Sequence, residues 1–209
     1  SKNKFLVSST SFVYDNNTIE DKIRNILSNN GFNEHYSNSL YSNNDIKIGA
    51  SIGWDAIKIK NPLSSDMAFL RNSMVPGILK ALSFNEKRDN QFLKLYEIGS
   101  ILKQTNKSRK ESFESRALCI GYLGRKQFSW KNKSKFDLFD VKGDVIMLFN
   151  HLGITGVSFD YNNTNELDII FNRKKIGNID VLDNKIRQTY DIDDSVIIVN
   201  LNIDNINYF

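Results

Sequence analysis

Residues 61–103 read NPLSSDMAFLRNSMVPGILKALSFNEKRDNQFLKLYEIGSILK, and this stretch decides the fold. Asn61-Pro62 forms a turn closing a strand that carries Ile57 and Ile59, because the residue before a proline resists the helical region. Ser65 or Asp66 is expected to cap a short helical turn bearing Met67 and Leu70. Pro76 suits the first turn of the next helix, where the N–H it lacks would have no partner. Ile78, Leu79 and Leu82 give that helix an apolar face. After a polar loop, residues 92–102 alternate as a strand containing Tyr96-Glu97-Ile98-Gly99, and 104–112 read as a charged loop.

Working outward, residues 5–13 read as a first strand. Thr18 looks like an N-cap with Asp21 as a capping-box partner, and Ile19, Ile23, Ile26 and Leu27 recur at helical spacing until Gly31 stops the helix. Residues 43–51 are polar and carry few structure signals. Downstream, 116–123 form a buried strand ended by Gly124. Residues 125–135 follow as a basic loop holding Phe128 and Trp130. Asp140 is expected to cap a helix with Val141, Val145, Leu148, Phe149 and Leu152 inward and Gly153 as its stop. Val157, Phe159 and Tyr161 alternate. Strands at 167–171 and 176–182 flank Asn172-Arg173-Lys174-Lys175 as a hairpin. A helical turn at 185–190 precedes a last strand at 195–203. Short turns between late strands favour antiparallel pairing. The expected class is α+β, with helices laid on one face of an antiparallel sheet and one domain spanning 1–209.

The chain has 209 residues, 40% hydrophobic and 25% charged, enough to bury a core. A net charge of +4 permits a nucleic-acid partner without requiring one. Cys119 is the single cysteine, which excludes an internal disulfide and fits a reducing compartment. No apolar run approaches the length of a membrane helix, and the polar start Ser1-Lys2-Asn3-Lys4 does not read as a signal peptide. His35 and His151 lack metal-ligand spacing and read as structural. Neither GxSxG, a P-loop nor GxGxxG opens a helix after a strand. Asp193-Asp194 and Glu20-Asp21 are paired acids. The second pair falls in a helix's first turn, where the dipole favours acids. Two basic clusters remain: Lys103, Lys107, Arg109 and Lys110, then Arg125, Lys126, Lys131, Lys133 and Lys135 around Phe128 and Trp130. They suit either a solvated loop or a nucleic-acid backbone.

Several motifs then line up in order. Asn61-Pro62-Leu63-Ser64, the run 70–79 (LRNSMVPGIL), Leu95-Tyr96-Glu97-Ile98-Gly99, Trp130, the run 136–145 (FDLFDVKGDV) and Lys175-Ile176-Gly177-Asn178-Ile179 resemble successive motifs of bacterial phenylalanyl-tRNA synthetase β subunits. Tyr190-Asp191-Ile192 and residues 199–203 also fit. The resemblance covers nearly all of the chain from the first helix onward.

That resemblance implies a class II aminoacyl-tRNA synthetase-like antiparallel sheet flanked by helices. It implies the catalytic-like core of a β subunit, excised from a longer chain. The α subunit of an (αβ)₂ heterotetramer would activate phenylalanine with ATP and Mg²⁺ and charge tRNA(Phe) in the cytoplasm. No cofactor, metal or catalytic residue is expected in this domain. A class II site holds the α-phosphate with an arginine, for which that side chain's bidentate geometry suits it. Here Ser100-Ile101-Leu102 follow Gly99, where the family often has arginine first. Residues 177–184 offer no arginine-bearing helix and read Asn178-Ile179-Asp180-Val181-Leu182-Asp183 where the family has GELHP. The expected role is an interface module, with Leu70, Met74, Pro76, Ile78, Leu79 and Leu82 as candidate subunit-interface residues. Arg125, Lys126, Lys131 and Lys133 are candidate tRNA contacts. The rival readings are a tRNA-binding module and an active class II-like ligase paralogue.

Overall fold

The computed structural model describes residues 17–49, 54–105, 111–126 and 134–206. The strand expected at 5–13 and the loop residues Lys107, Arg109, Lys110, Phe128, Trp130, Lys131 and Lys133 lie outside them. Helix α1 spans Asn17–Asn29, so Thr18 lies inside it rather than capping it. Gly31 does end it: at φ +80° it lets the Phe32 N–H reach the Leu27 carbonyl at 3.1 Å and its own N–H reach Ser28 at 3.2 Å. Short strands β1 (Asn33–Glu34) and β2 (Leu40–Tyr41) follow.

Helix α2, Asn43–Ile48, occupies the stretch whose sequence showed few signals. Its signal is local: Ser42 and Asp45 cap one another's backbone in a capping box. Strand β3 (Trp54–Asp55), a 3₁₀ turn at Ser65–Met67 and β4 (Phe69–Leu70) lead to α3, Val75–Glu86, with Pro76 in its first turn. Leu70 therefore sits in a strand, not in the helical turn.

Two long strands, β5 (Phe92–Thr105) and β6 (Ser112–Gly124), pair antiparallel along most of their length. Helix α4 spans Leu138–His151. Its N-cap is Asp137, one turn before the expected Asp140, which instead completes the capping box from the third helical position. Strands β7 (Ser158–Asn163), β8 (Glu166–Phe171) and β9 (Lys174–Val181), helix α5 (Asn184–Thr189) and strand β10 (Val196–Asn202) complete the described chain. The β8–β9 turn is only Asn172-Arg173, both left-handed at φ +50° and +63°, as a tight hairpin requires. Lys174 and Lys175 belong to β9.

The main sheet runs β1-β5-β6-β10-β9-β8-β7, with β3 also on β5, and β2 pairs β4 separately. The pairing is antiparallel except that β1 runs parallel to β5. Helices cover both faces, which corrects the one-face expectation. Tyr96, Ile98, Leu118, Ile120, Ile197 and Val199 pack with α1 and α4. The alternate residues Leu95, Cys119 and Ile198 pack with α3 and α5. Central strands apolar at consecutive positions must be buried on both sides. Cys119 is wholly buried, and that burial pushes its thiol pKa well up.

A buried ion pair locks this second layer to the sheet. Arg71, just before α3, places Nη1 2.5 Å from Glu97 on β5, at side-chain exposures of 8% and 2%. Its Nε donates to the Ser100 carbonyl at 2.8 Å, and Glu97 also accepts from the Ser37 hydroxyl at 2.7 Å. A side chain on Gly99 would run into the Arg71 guanidinium, and one on Gly77 into Ser37. Arg71→Met leaves a buried carboxylate unpaired and is expected to cost about 3–5 kcal/mol in urea unfolding. The double change Arg71→Met with Glu97→Leu should cost measurably less, because no lone charge remains. Equal losses in the single and double variants would show that the pair is not coupled.

Candidate functional site

A cavity of about 500 Å³ opens on the sheet face that carries α3 and α5. Its floor comes from Ala117 of β6, Ile198 and Asn200 of β10 and Asn178 of β9. The start of α3 forms one wall with Asn72 and Ser73, and Ile186 of α5 lies at one end. Strand parity selects what β5 contributes. Alternate residues face opposite sides, so Glu97, Gly99, Ile101 and Lys103 share the α3 side, and Ile101 and Lys103 line the cavity.

The same parity changes the meaning of position 100. Ser100 faces the α1 side, where its hydroxyl accepts from Arg116 Nη1 at 3.1 Å. An arginine there would stand among Arg116 and Glu20, not over the cavity. The cation that β5 does present to the cavity is Lys103, and burial draws its pKa below the usual lysine range. No arginine lines the cavity among the described residues. Arg71 lies near the wall but is committed to Glu97, Ser37 and the Ser100 carbonyl.

The start of α3 is also largely engaged. The Val75 N–H donates to the Ser73 hydroxyl at 3.2 Å, Pro76 has none, and the Gly77 N–H donates to the Tyr41 hydroxyl at 3.2 Å. A helix start binds anions best through free N–H groups. Here its dipole remains, while those donors are already used. Desolvation pushes the Tyr41 hydroxyl up to about 12, keeping it neutral while it accepts from Gly77.

Asp180 stands on the floor's far side, across from Glu166 on β8. Burial, and secondarily the Glu166 carboxylate, raise its pKa to about 6. Its neighbour Lys175 is no counter-ion, being paired with Asp168 at 2.5 Å. Among the described residues no group of three or more His, Cys, Asp or Glu is placed to hold a metal. His151 binds the Met147 carbonyl within its own helix at 2.9 Å.

Of the candidate interface residues, Met74, Ile78, Leu79 and Leu82 lie in the core between α3 and the sheet, Pro76 is buried in the same helix, and Leu70 is half-buried. They hold α3 in place rather than offering a bare surface. The exposed large apolar residues are others, foremost Leu63 at 93%, Phe139 at 74% and Tyr36 at 71%. Of the candidate tRNA contacts, Lys126 bridges Asp137 and Asp140 at 2.9 and 2.7 Å. Arg125 pairs through its backbone with Gln91 and Lys135, and Lys135 binds Asp194 at 2.8 Å. Lys131 and Lys133 lie outside the described residues.

Sequence reasoning missed Glu20, read as a helix-start acid. It is buried and takes Arg116 in two contacts of 2.7 Å, whose hydrogen bonds hold its pKa low. It also missed the capping pair of α2, legible as Ser42-x-x-Asp45.

Residues 8–203 match the family described as the phenylalanyl tRNA synthetase beta chain CLM domain. The chain belongs to that family. It is 28% identical over 157 residues to the phenylalanine–tRNA ligase beta subunit of Legionella pneumophila (strain Paris), covering 72% of this chain and 20% of that one. It is 25% identical over 213 residues to that of Rickettsia prowazekii (strain Madrid E), covering 93% and 25%. It therefore spans about a fifth to a quarter of the length of these relatives. A pyrrolysyl-tRNA synthetase of Desulfitobacterium hafniense superposes with a TM-score of 0.69 at 13% identity, covering 90% of this chain and 66% of that one. The fold is thus α+β and class II synthetase-like.

Asp180 yields a pH prediction. Its folded pKa of about 6 lies above the reference 3.8, so its contribution to stability is complete below about pH 4 and lost as pH rises through 6. Asp180→Asn removes that loss. It should stabilise the chain by about 1 kcal/mol at pH 8, discounted because the group is half exposed. The gain should vanish at about pH 4 in urea titrations. A gain of the same size at both pH values would place its cause elsewhere.

Proposed function

We propose that this domain is a non-catalytic core and interface module of a phenylalanine–tRNA ligase β subunit. It supports assembly with an α subunit that performs the ATP-dependent charging of tRNA(Phe). The observation that carries this reading is the sheet face itself. Family membership places it in a β chain, yet among the described residues no arginine lines its cavity, and Arg71, beside the start of α3, is locked into the fold. Phosphate-transferring chemistry on such a face needs fixed bidentate cations.

In this reading the domain works in the cytoplasm within an (αβ)₂ heterotetramer, where ATP and Mg²⁺ belong to the α partner. Met74, Pro76, Ile78, Leu79 and Leu82 fix α3, and Leu70 fixes the ribbon before it. The contact is made by apolar side chains such rigid elements leave bare. Leu63 and Tyr36, in the segments leading into the β2–β4 ribbon, suit that role at their high exposure. Single Leu63→Asp and Tyr36→Asp substitutions are expected to weaken capture of the α subunit by about tenfold or more with unfolding temperature unchanged. Undiminished capture by both, or assembly of a β subunit lacking this domain, would remove the interface role. ATP–pyrophosphate exchange by the domain alone is expected to be absent; exchange above background would favour an active ligase.

A further inference from the structure

We infer that the cavity between α3 and the sheet is a binding site for a small organic anion, with Lys103 as its cation. The inference goes beyond the assembly role, which does not require the cavity to hold anything.

Among the described residues two cations line the cavity, and they differ. Lys175 is neutralised by Asp168, whereas the Lys103 ammonium makes neither an ion pair nor a hydrogen bond with any described residue. Parity on β5 turns Lys103 to this face, beside apolar Ile101. A half-buried ammonium without a partner is costly, and a bound anion relieves that cost. Burial also depresses its basicity, the direction an anion would reverse.

The start of α3, which follows a segment bonded to this end of β5, adds a feature of the same sense. The 12-residue α3 starts at the cavity, and Met74 at its N-cap offers no side-chain cap, so the positive end of the dipole lies at this wall. Beside it, Asn72 is only 4% exposed and lines the cavity. Its Nδ2 donates to the Ile46 carbonyl at 2.9 Å, while its Oδ1 has no partner. That oxygen packs beside Gly49 and is closed off from solvent, so it offers the cavity no acceptor.

The ligand must therefore carry an anionic group for Lys103. The floor amides Asn178 and Asn200, Cα partners on adjacent strands, make no side-chain hydrogen bond to other described residues and suit a polar, uncharged body. Asp180 at the far side disfavours a second anionic group there. Hydroxy- or amino-substituted carboxylates and phosphate monoesters, each with a single anionic group, share this chemistry.

The test is calorimetric titration of the 209-residue chain with two series, lactate and glycine against glycerol phosphate and inorganic phosphate. One series should bind saturably, and the one that does names the anion class. Lys103→Met should weaken that binding about tenfold or more, the worth of one charge-assisted hydrogen bond. Lys22→Met, exposed on α1 across the sheet, should leave it unchanged. Lys103→Gln, which keeps a hydrogen-bond donor, should fall between wild type and methionine, and circular dichroism checks that each variant folds. No saturable binding of either series by the folded wild-type chain would overturn the inference. So would equal weakening by Lys22→Met and Lys103→Met.

Discussion

The buried Arg71–Glu97 pair is the constraint on which the α3 layer depends. It ties the segment before α3 to the central strand β5, and Ser37 joins the loop after β1 to the same carboxylate. Two glycines exist for its sake: Gly99 gives the guanidinium room and Gly77 gives the Ser37 hydroxyl room. A buried pair of this kind adds little net stability over an apolar substitute, but it penalises every arrangement that leaves one charge alone. It therefore specifies where α3 sits. The Leu-Arg and Glu-Ile-Gly runs, 26 residues apart by the 71 and 97 positions, are one structural device.

The other face is held by a related device. Arg116 on β6 reaches Glu20 of α1, and Arg24 of the same helix reaches Glu34 of β1 at 2.9 Å. Ser100 stands between the two systems, its carbonyl accepting from Arg71 and its hydroxyl from Arg116. One residue of β5 thus serves both layers, because a strand carries its backbone through the sheet while its side chain takes one side. This geometry also separates the absence of an arginine at position 100 from the chemistry of the cavity. What matters for a ligand on that face is position 103, where the chain has lysine.

Much of the architecture was legible in the sequence. Pro76 marked α3, Gly31 ended α1, and the alternation through residues 92–102 and the apolar run at 116–123 marked the paired strands. The motif order pointed to the family and so to the class II sheet. The misplacements were local. Asp137 and Asp140 are both good caps, and only backbone geometry distinguishes the cap from its capping-box partner. The short helix α2 carries few apolar residues, so periodicity could not reveal it, although its reciprocal Ser42–Asp45 cap could have.

By itself, then, the sequence determined the elements, their order and the family, because caps, glycines, prolines and apolar period act over a few residues. It could not determine which face a helix covers, since alternating apolar residues on both sides of a strand look the same before the layers assemble. Nor could it tell that Glu20 and Arg71 are buried partners of residues 96 and 26 positions away. Only the tertiary structure decided that Met74, Ile78, Leu79 and Leu82 point into the chain's own core. Only it turned Lys103 toward the cavity and Ser100 away, because side-chain direction depends on register and on which layer each face meets.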